Sequence, residues 1–204
     1  MACKKSDDKS EELIKQNKGK LISGDFYGYG HAIKEGIKNS DADIIVLSEA
    51  DGTFRSSDVK KFVTLLCESD LVIGTRTNPS YIQYGASMGF LKRFFNIIYG
   101  KIITLLWLNR SVSLTDVGCT LRAFWRNDYI EIEKNLKSHN AAFAPEHTIE
   151  FIQHGFRVIE IPVNYYPRTL GVSKISGTFF QSAITALKMI KVIILKRFFY
   201  LFNK

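Results

Sequence analysis

Residues 41–54 read DADIIVLSEADGTF. Four apolar residues, Ile44 to Leu47, run into an acidic pair, Glu49 and Asp51, separated by Ala50. A short continuous apolar run bounded by polar residues predicts a strand buried on both faces. In open α/β sheets, ligands bind just beyond the carboxyl ends of such strands, where side chains leave the sheet and reach solvent. Gly52 allows a sharp turn after Asp51. The stretch therefore delivers two carboxylates to a turn at the top of a sheet. Hard divalent cations such as Mg2+ or Mn2+ take oxygen ligands and are held by one or two carboxylates plus substrate phosphates. A solvated acidic turn fits the same residues, because Asp and Gly are ordinary turn formers.

Working outward, residues 56–66 carry a helix signal, with Ser56 or Ser57 as N-cap, Asp58 in the first turn, and Val59, Phe62, Val63 and Leu66 as a core stripe. DLVIG at 70–74 predicts a second buried strand with a polar exit at Thr75 and Arg76. Strand, helix and strand at this spacing predict a βαβ unit with a parallel crossover. Upstream, GYGHA at 28–32 opens a helix, and its glycines permit close backbone approach, although the pattern is neither a dinucleotide fingerprint nor a P-loop.

Downstream, 90–108 is a long apolar helix interrupted by Lys92, Arg93 and Lys101. Three cations exclude it as a bilayer span and leave a core or membrane-interface helix. DVGC at 116–119 leads into a strand at 120–125, and Pro145 opens a helix over 146–153. FRVIEIPV at 156–163 is a strand that Pro162 places at an edge. A basic, turn-rich segment, YPRTLGVSK at 166–174, precedes a helix over 178–202.

With 204 residues, 46% hydrophobic and 24% charged, the chain is large enough for one globular domain with a real core. Its 28 Lys and Arg against 20 Asp and Glu give a net charge of +8, which favours anionic partners. The three cysteines are far apart and form no CxxC or Cys/His cluster, which excludes a zinc site and a disulfide framework. The first thirteen residues contain no apolar signal-peptide core.

The ordered set GYGHA, SEADG, VIGTR, Arg93, DVGCTLRAF, PEHTIE and PRTLGVSK resembles the inverting, metal-dependent glycosyltransferases of the dolichyl-phosphate mannose synthase type. The resemblance runs from Gly28 to Lys174. It implies an α/β fold of the GT-A (Rossmann-like) type, with a mostly parallel sheet flanked by helices. It also implies that Glu49 and Asp51 hold Mg2+ or Mn2+ against a nucleotide-diphosphate sugar. Gly28, Gly30, Arg76, Arg93, Arg168, Ser173 and Lys174 would bind substrates. The acceptor would be a polyprenyl phosphate, whose oxygen is already ionised, or a glycan. A sugar hydroxyl would require a base, for which Asp116 is the first candidate and Glu146 the second. Both also suit structural roles, as a turn residue and a first-turn helix carboxylate.

Two departures stand out. Glu49 replaces the Asp of the family's metal motif and reaches one methylene further. The family's opening strands, which hold base and ribose, have no counterpart, so roughly 60–90 upstream residues are expected at ~30 per unit, or a separate chain supplying that half-site. The expected organisation is therefore a partial GT-A domain over 1–175, N-terminally truncated, and an amphipathic membrane-interface helix over 176–204. The expected location is peripheral, on the cytoplasmic side of a membrane, in cell-envelope or surface glycan synthesis. A catalytically inactive remnant acting as a membrane-binding module is the competing reading. A nucleic-acid-binding role lacks any recognisable motif.

Overall fold

A computed structural model of the protein describes residues 2–3, 10–110, 112–169 and 179–202. In chain order the elements are β1 (Ala2–Cys3), α1 (Ser10–Gln16), β2 (Ile22–Ser23), α2 (Tyr29–Lys38), β3 (Ile44–Leu47), α3 (Ser56–Leu65), β4 (Leu71–Thr75), α4 (Phe90–Leu106), β5 (Arg122–Trp125), α5 (Arg126–Ile132), α6 (Phe143–Gln153), β6 (Val158–Pro162) and α7 (Phe179–Phe202). β1 and β2 form a two-residue parallel pair apart from the main sheet.

The main sheet has the order β3-β5-β4-β6. β3 and β4 run the same way, as the strand–helix–strand spacing predicts, but β5 lies between them and is antiparallel to both. β6 pairs parallel with β4 and forms an edge that ends at Pro162. The sheet is therefore mixed rather than mostly parallel. The reason lies at Asp116. Its side chain binds Arg76 at the carboxyl end of β4, so the segment that follows enters the sheet from that end and must run down it.

The sheet interior is apolar. Leu71, Val72 and Ile73 of β4 and Ala123 and Phe124 of β5 are fully buried. Phe62 of α3, Ile103 of α4 and Ile149 and Phe151 of α6 pack against them. α3 begins at Ser56, so both serines expected at the N-cap lie inside the helix, and the N-cap is Arg55, with no side-chain cap hydrogen bond. α6 starts at Phe143, before the expected Glu146, and so takes Pro145 into its first turn.

α4 holds the segment that carries Asp116. A Cβ on Gly100 would stand 2.5 Å from the Leu114 carbonyl oxygen, so only glycine admits this approach. Next to it, Thr104 Oγ1 accepts the Leu114 N–H at 3.0 Å. α7 packs on α6, where Lys196 Nζ reaches Glu146 at 3.0 Å and Glu150 at 2.6 Å.

Candidate functional site

Because β3, β4 and β6 point the same way, their carboxyl ends gather Glu49, Asp51, Arg76, Tyr165 and Arg168 at one end of the sheet. A cleft of about 1610 Å3 opens there and runs along β3 between α2, α4 and α7. Asp43 accepts the Arg126 N–H at 2.8 Å. By the two-residue alternation of an antiparallel pair, Ile45 and Leu47 then face β5, while Ile44 and Val46 turn their N–H and C=O groups towards the cleft.

The turn after β3 is built around Asp51. Its Oδ1 accepts the Thr53 N–H at 3.0 Å and the Thr53 hydroxyl at 2.6 Å. Its backbone oxygen accepts the Thr169 N–H at 3.0 Å and the Thr169 hydroxyl at 3.1 Å. Gly52 has φ 80°, and a Cβ there would stand 2.7 Å from Thr169 Cγ2, so both backbone and space demand glycine. Arg168 NH2 lies 2.8 Å from Asp51 Oδ2 and 3.6 Å from Glu49 Oε2. The nearer contact lacks hydrogen-bond alignment, and Asp51 Oδ2 is a buried oxygen with no hydrogen-bond donor.

The two carboxyls are pushed apart in acidity. Burial, then the hydrogen bond and charge shared with Asp51, raise Glu49 to about 7, against the pull of Arg76 and Arg168. Burial also pushes Asp51 up, but its two Thr53 hydrogen bonds outweigh that and hold it below the usual value. The pair is thus a carboxylate beside a carboxyl group that ionises near neutrality.

The opposite wall is fixed by Asp116, which is completely buried. Arg76 donates to it from its backbone N–H at 3.0 Å, from Nε at 2.8 Å and from NH2 at 2.9 Å. Burial would lower the Arg76 pKa, but the Asp116 charge more than offsets this and holds it well above the ordinary value. The guanidinium also lies over the Tyr165 ring, 5.4 Å from its centroid. Behind Asp116 stands Glu160 of β6, which accepts the N–H groups of Thr115 and Asp116 at 2.9 and 2.8 Å and the Thr115 hydroxyl at 2.6 Å. Lys92 of α4 completes the wall, with Nζ 3.2 Å from Ser87 Oγ.

Other sequence-predicted residues lie elsewhere. Glu146 does not line the cleft. Its oxygens accept the N–H groups of Lys137 and Ser138 at 3.0 and 2.7 Å and pair with Lys196. At Gly28 and Gly30 the close approach is to residues 138–143: a Cβ would stand 2.7 Å from the His139 carbonyl oxygen at Gly28 and 2.7 Å from Phe143 Cβ at Gly30. Arg93 is on α4 outside the cleft lining, and its neighbour Lys92 takes that place. Ser173 and Lys174 lie outside the described residues. Sequence reasoning missed Thr53, Lys92, Tyr165 and Glu160. A signal existed for two of them: Thr53 is two residues past an Asp in a D-G turn, where a side-chain-to-backbone bond is common. Glu160 is a lone charge inside an apolar strand.

Among the described residues no three His, Cys, Asp or Glu side chains cluster as a metal site. Glu49 and Asp51 would nevertheless suit a hard divalent ion of the kind held by one or two carboxylates together with substrate phosphates. Asp51 Oδ2 is a buried oxygen with no aligned hydrogen-bond donor, met only by the Arg168 charge at 2.8 Å, the kind of atom such an ion would satisfy.

Comparisons with known proteins bear on the family and the fold. The chain is 27% identical over 165 residues to a dolichyl-phosphate hexose transferase of Haloferax volcanii, covering 80% of this chain and 68% of that protein. It is 27% identical over 145 residues to an undecaprenyl-phosphate mannosyltransferase of Micrococcus luteus, covering 70% of this chain and 57% of the relative. In fold it matches glucosyl-3-phosphoglycerate synthase from Mycobacterium tuberculosis, solved with Mn2+ and UDP-glucose, at a TM-score of 0.65 and 12% identity over 94% of this chain and 65% of that one. The chain therefore spans roughly two thirds of the length of the first and third, and less of the second. The profile of glycosyl transferase family 2 matches residues 5–132, more than half of the sequence and including both β3 and β4 with their polar exits; the chain belongs to that family.

Proposed function

We propose that this chain carries the donor-diphosphate and acceptor walls of a glycosyltransferase that moves a sugar from a nucleotide-diphosphate sugar to a polyprenyl phosphate. The observation that carries the reading is the cleft itself. A carboxylate pair, its buried Asp51 Oδ2 met by Arg168 at 2.8 Å without an aligned hydrogen bond, shares a largely apolar cleft with the cations Arg76 and Lys92. The names of the two relatives, a dolichyl-phosphate and an undecaprenyl-phosphate transferase, support it.

A divalent ion of the Mg2+ or Mn2+ type at Glu49 and Asp51 would supply charge stabilisation to the leaving nucleoside diphosphate. Arg168, at the rim, adds a planar fork suited to phosphate oxygens. Arg76 is locked by Asp116 and presents a fixed positive charge to an acceptor phosphate. An ionised phosphate oxygen attacks without a general base. That suits a site in which Asp116 is fully engaged with Arg76 and Glu146 is engaged with Lys196. A glycan hydroxyl acceptor would need a free base, and neither carboxylate is one. Inversion at the sugar carbon follows from a single in-line displacement by that oxygen.

The exposed apolar side chains concentrate on α4 and α7: Phe90, Phe94 and Phe95 on one, and Phe198, Phe199 and Phe202 on the other. Cations lie among them, Lys92, Arg93 and Lys101 on α4 and Lys188, Lys191 and Arg197 on α7. No described helix is long and apolar enough to cross a membrane. We read this face as docking on an anionic membrane surface, where each cation adds about 1 kcal/mol. On this reading the cleft, which α4 and α7 both line, would lie close to the surface that holds an isoprenoid acceptor.

Calorimetry with a UDP- or GDP-sugar, with and without Mn2+, tests the reading. Binding is expected to require Mn2+ and to be lost in Asp51→Ala. Equal affinity in EDTA, or wild-type affinity in Asp51→Ala, would overturn it. Transfer of labelled sugar to undecaprenyl phosphate in detergent separates an active transferase from an inactive remnant.

A further inference from the structure

We infer that Arg168 is the resident counter-ion of the carboxylate pair: its guanidinium holds the position that a divalent cation takes, and the two exchange. This rests on the reading of Glu49 and Asp51 as a metal site. Arg168 NH2 sits between the two acids, 2.8 Å from Asp51 Oδ2 and 3.6 Å from Glu49 Oε2. A divalent ion bound to the same oxygens at about 2.0–2.6 Å would fall on the guanidinium, and two cations cannot share that space.

The contact is held by charge rather than by a formed hydrogen bond. Asp51 Oδ2 is buried and has no aligned donor, although a guanidinium nitrogen lies within reach. Arg76 and Asp116 show what a committed pair looks like here, with aligned bonds from both Nε and NH2 to the two oxygens of one carboxylate. The Arg168 side chain is also 30% exposed, against 13% for Arg76. Its neighbour Thr169 is pinned to the Asp51 backbone oxygen by two hydrogen bonds. The backbone at the exchange point is therefore fixed while the guanidinium is free to swing out. With a divalent ion on those oxygens, Arg168 would stand at the rim, where its fork could meet phosphate oxygens.

Exchange of this kind makes a specific, opposed prediction. Without Arg168 the metal meets no competitor, so Arg168→Ala should bind Mn2+ alone more tightly than wild type, by at least about 5-fold, the lower end of ordinary site coupling. With Mn2+ saturating, the same variant should bind UDP more weakly, because the released fork is missing. Arg168→Lys, which keeps a cation of similar reach, should return Mn2+ affinity towards wild type. The readout is free Mn2+ counted by electron paramagnetic resonance at fixed pH and ionic strength, with UDP binding by calorimetry and circular dichroism to check folding. Unchanged or weaker Mn2+ binding in Arg168→Ala, with binding still lost in Asp51→Ala, overturns the exchange and leaves the metal site standing. No Mn2+ binding by wild type, or full binding by Asp51→Ala, overturns the metal site as well.

Discussion

Asp116, beyond the carboxyl end of β4, is completely buried and takes three hydrogen bonds from Arg76, at 2.8, 2.9 and 3.0 Å. Asp51, beyond the carboxyl end of β3, keeps one buried oxygen without a donor, and its partner Glu49 ionises only near 7. Asp51 lines the cleft, whereas Asp116 stands behind its wall and reaches it only through Arg76. Asp116 is finished by the protein and fixes the Arg76 side of the cleft. Asp51 is held at Oδ2 only by the unaligned charge of Arg168, which leaves that side of the pair open to exchange with a ligand.

The largest effect that tests this contrast is on stability. Asp116→Ala leaves the Arg76 guanidinium buried without its counter-charge, which costs about 3–5 kcal/mol. Asp51→Ala loses the two Thr53 hydrogen bonds and an unaligned, partly exposed ion pair with Arg168, so its net cost should be about 2 kcal/mol or less. Urea unfolding of the two variants side by side measures the gap. Equal losses would mean that the two ends are built alike, and the distinction between finished and unfinished walls would fall.

A smaller effect sharpens the same point one residue further back. Glu160 reaches Asp116 only through the backbone, by accepting the N–H groups of Thr115 and Asp116 and the Thr115 hydroxyl. Glu160→Ala orphans those donors inside the protein, at about 1–3 kcal/mol. If Glu160 only fills space, Glu160→Gln and Glu160→Leu should be equally stable. If it anchors the segment, Gln should retain more stability than Leu, because its carbonyl oxygen still accepts.

How far these walls were legible in the sequence follows the same division. The β3 wall is local: strand, acidic pair and turn lie within residues 41–54, so periodicity and turn chemistry locate Glu49, Asp51 and Gly52 together. The β4 wall is not. Arg76 and Asp116 are 40 positions apart and Asp116 and Glu160 are 44 apart, and no spacing rule joins them. The mixed sheet was hidden for a related reason. The run at 120–125 reads equally well as a strand in either direction, and its sense is set by long-range ties of the preceding segment to Thr104, Arg76 and Glu160. Gly28 and Gly30 announce a close approach but not the partner, which is the 138–143 segment of the same chain.

Glu146 offers the finest test, because its sequence context, a carboxylate just after Pro145, suits an active-site base as well as a structural group. Its geometry puts it with Asp116. Burial pushes its carboxyl up, but the N–H groups of Lys137 and Ser138 and the charge of Lys196 outweigh that and hold it below its ordinary value. For a carboxyl depressed in this way, the stabilisation is complete above the unfolded value of about 4.5 and disappears as pH falls through the folded value. The contact joins α6 to α7, so acid should loosen that seam. The stability difference between wild type and Glu146→Gln should be near 1 kcal/mol and constant from pH 8 to about 5, then shrink below about 4.5. Because Lys196 still holds Glu150 at 2.6 Å, the seam should weaken without α7 detaching. A difference that stays level down to pH 3 would show that Glu146 carries no structural charge, and would return it to the list of candidate bases. Hydrogen exchange along α7 reads the same event locally: its amides should lose protection in acid before those of β4 and β5 do.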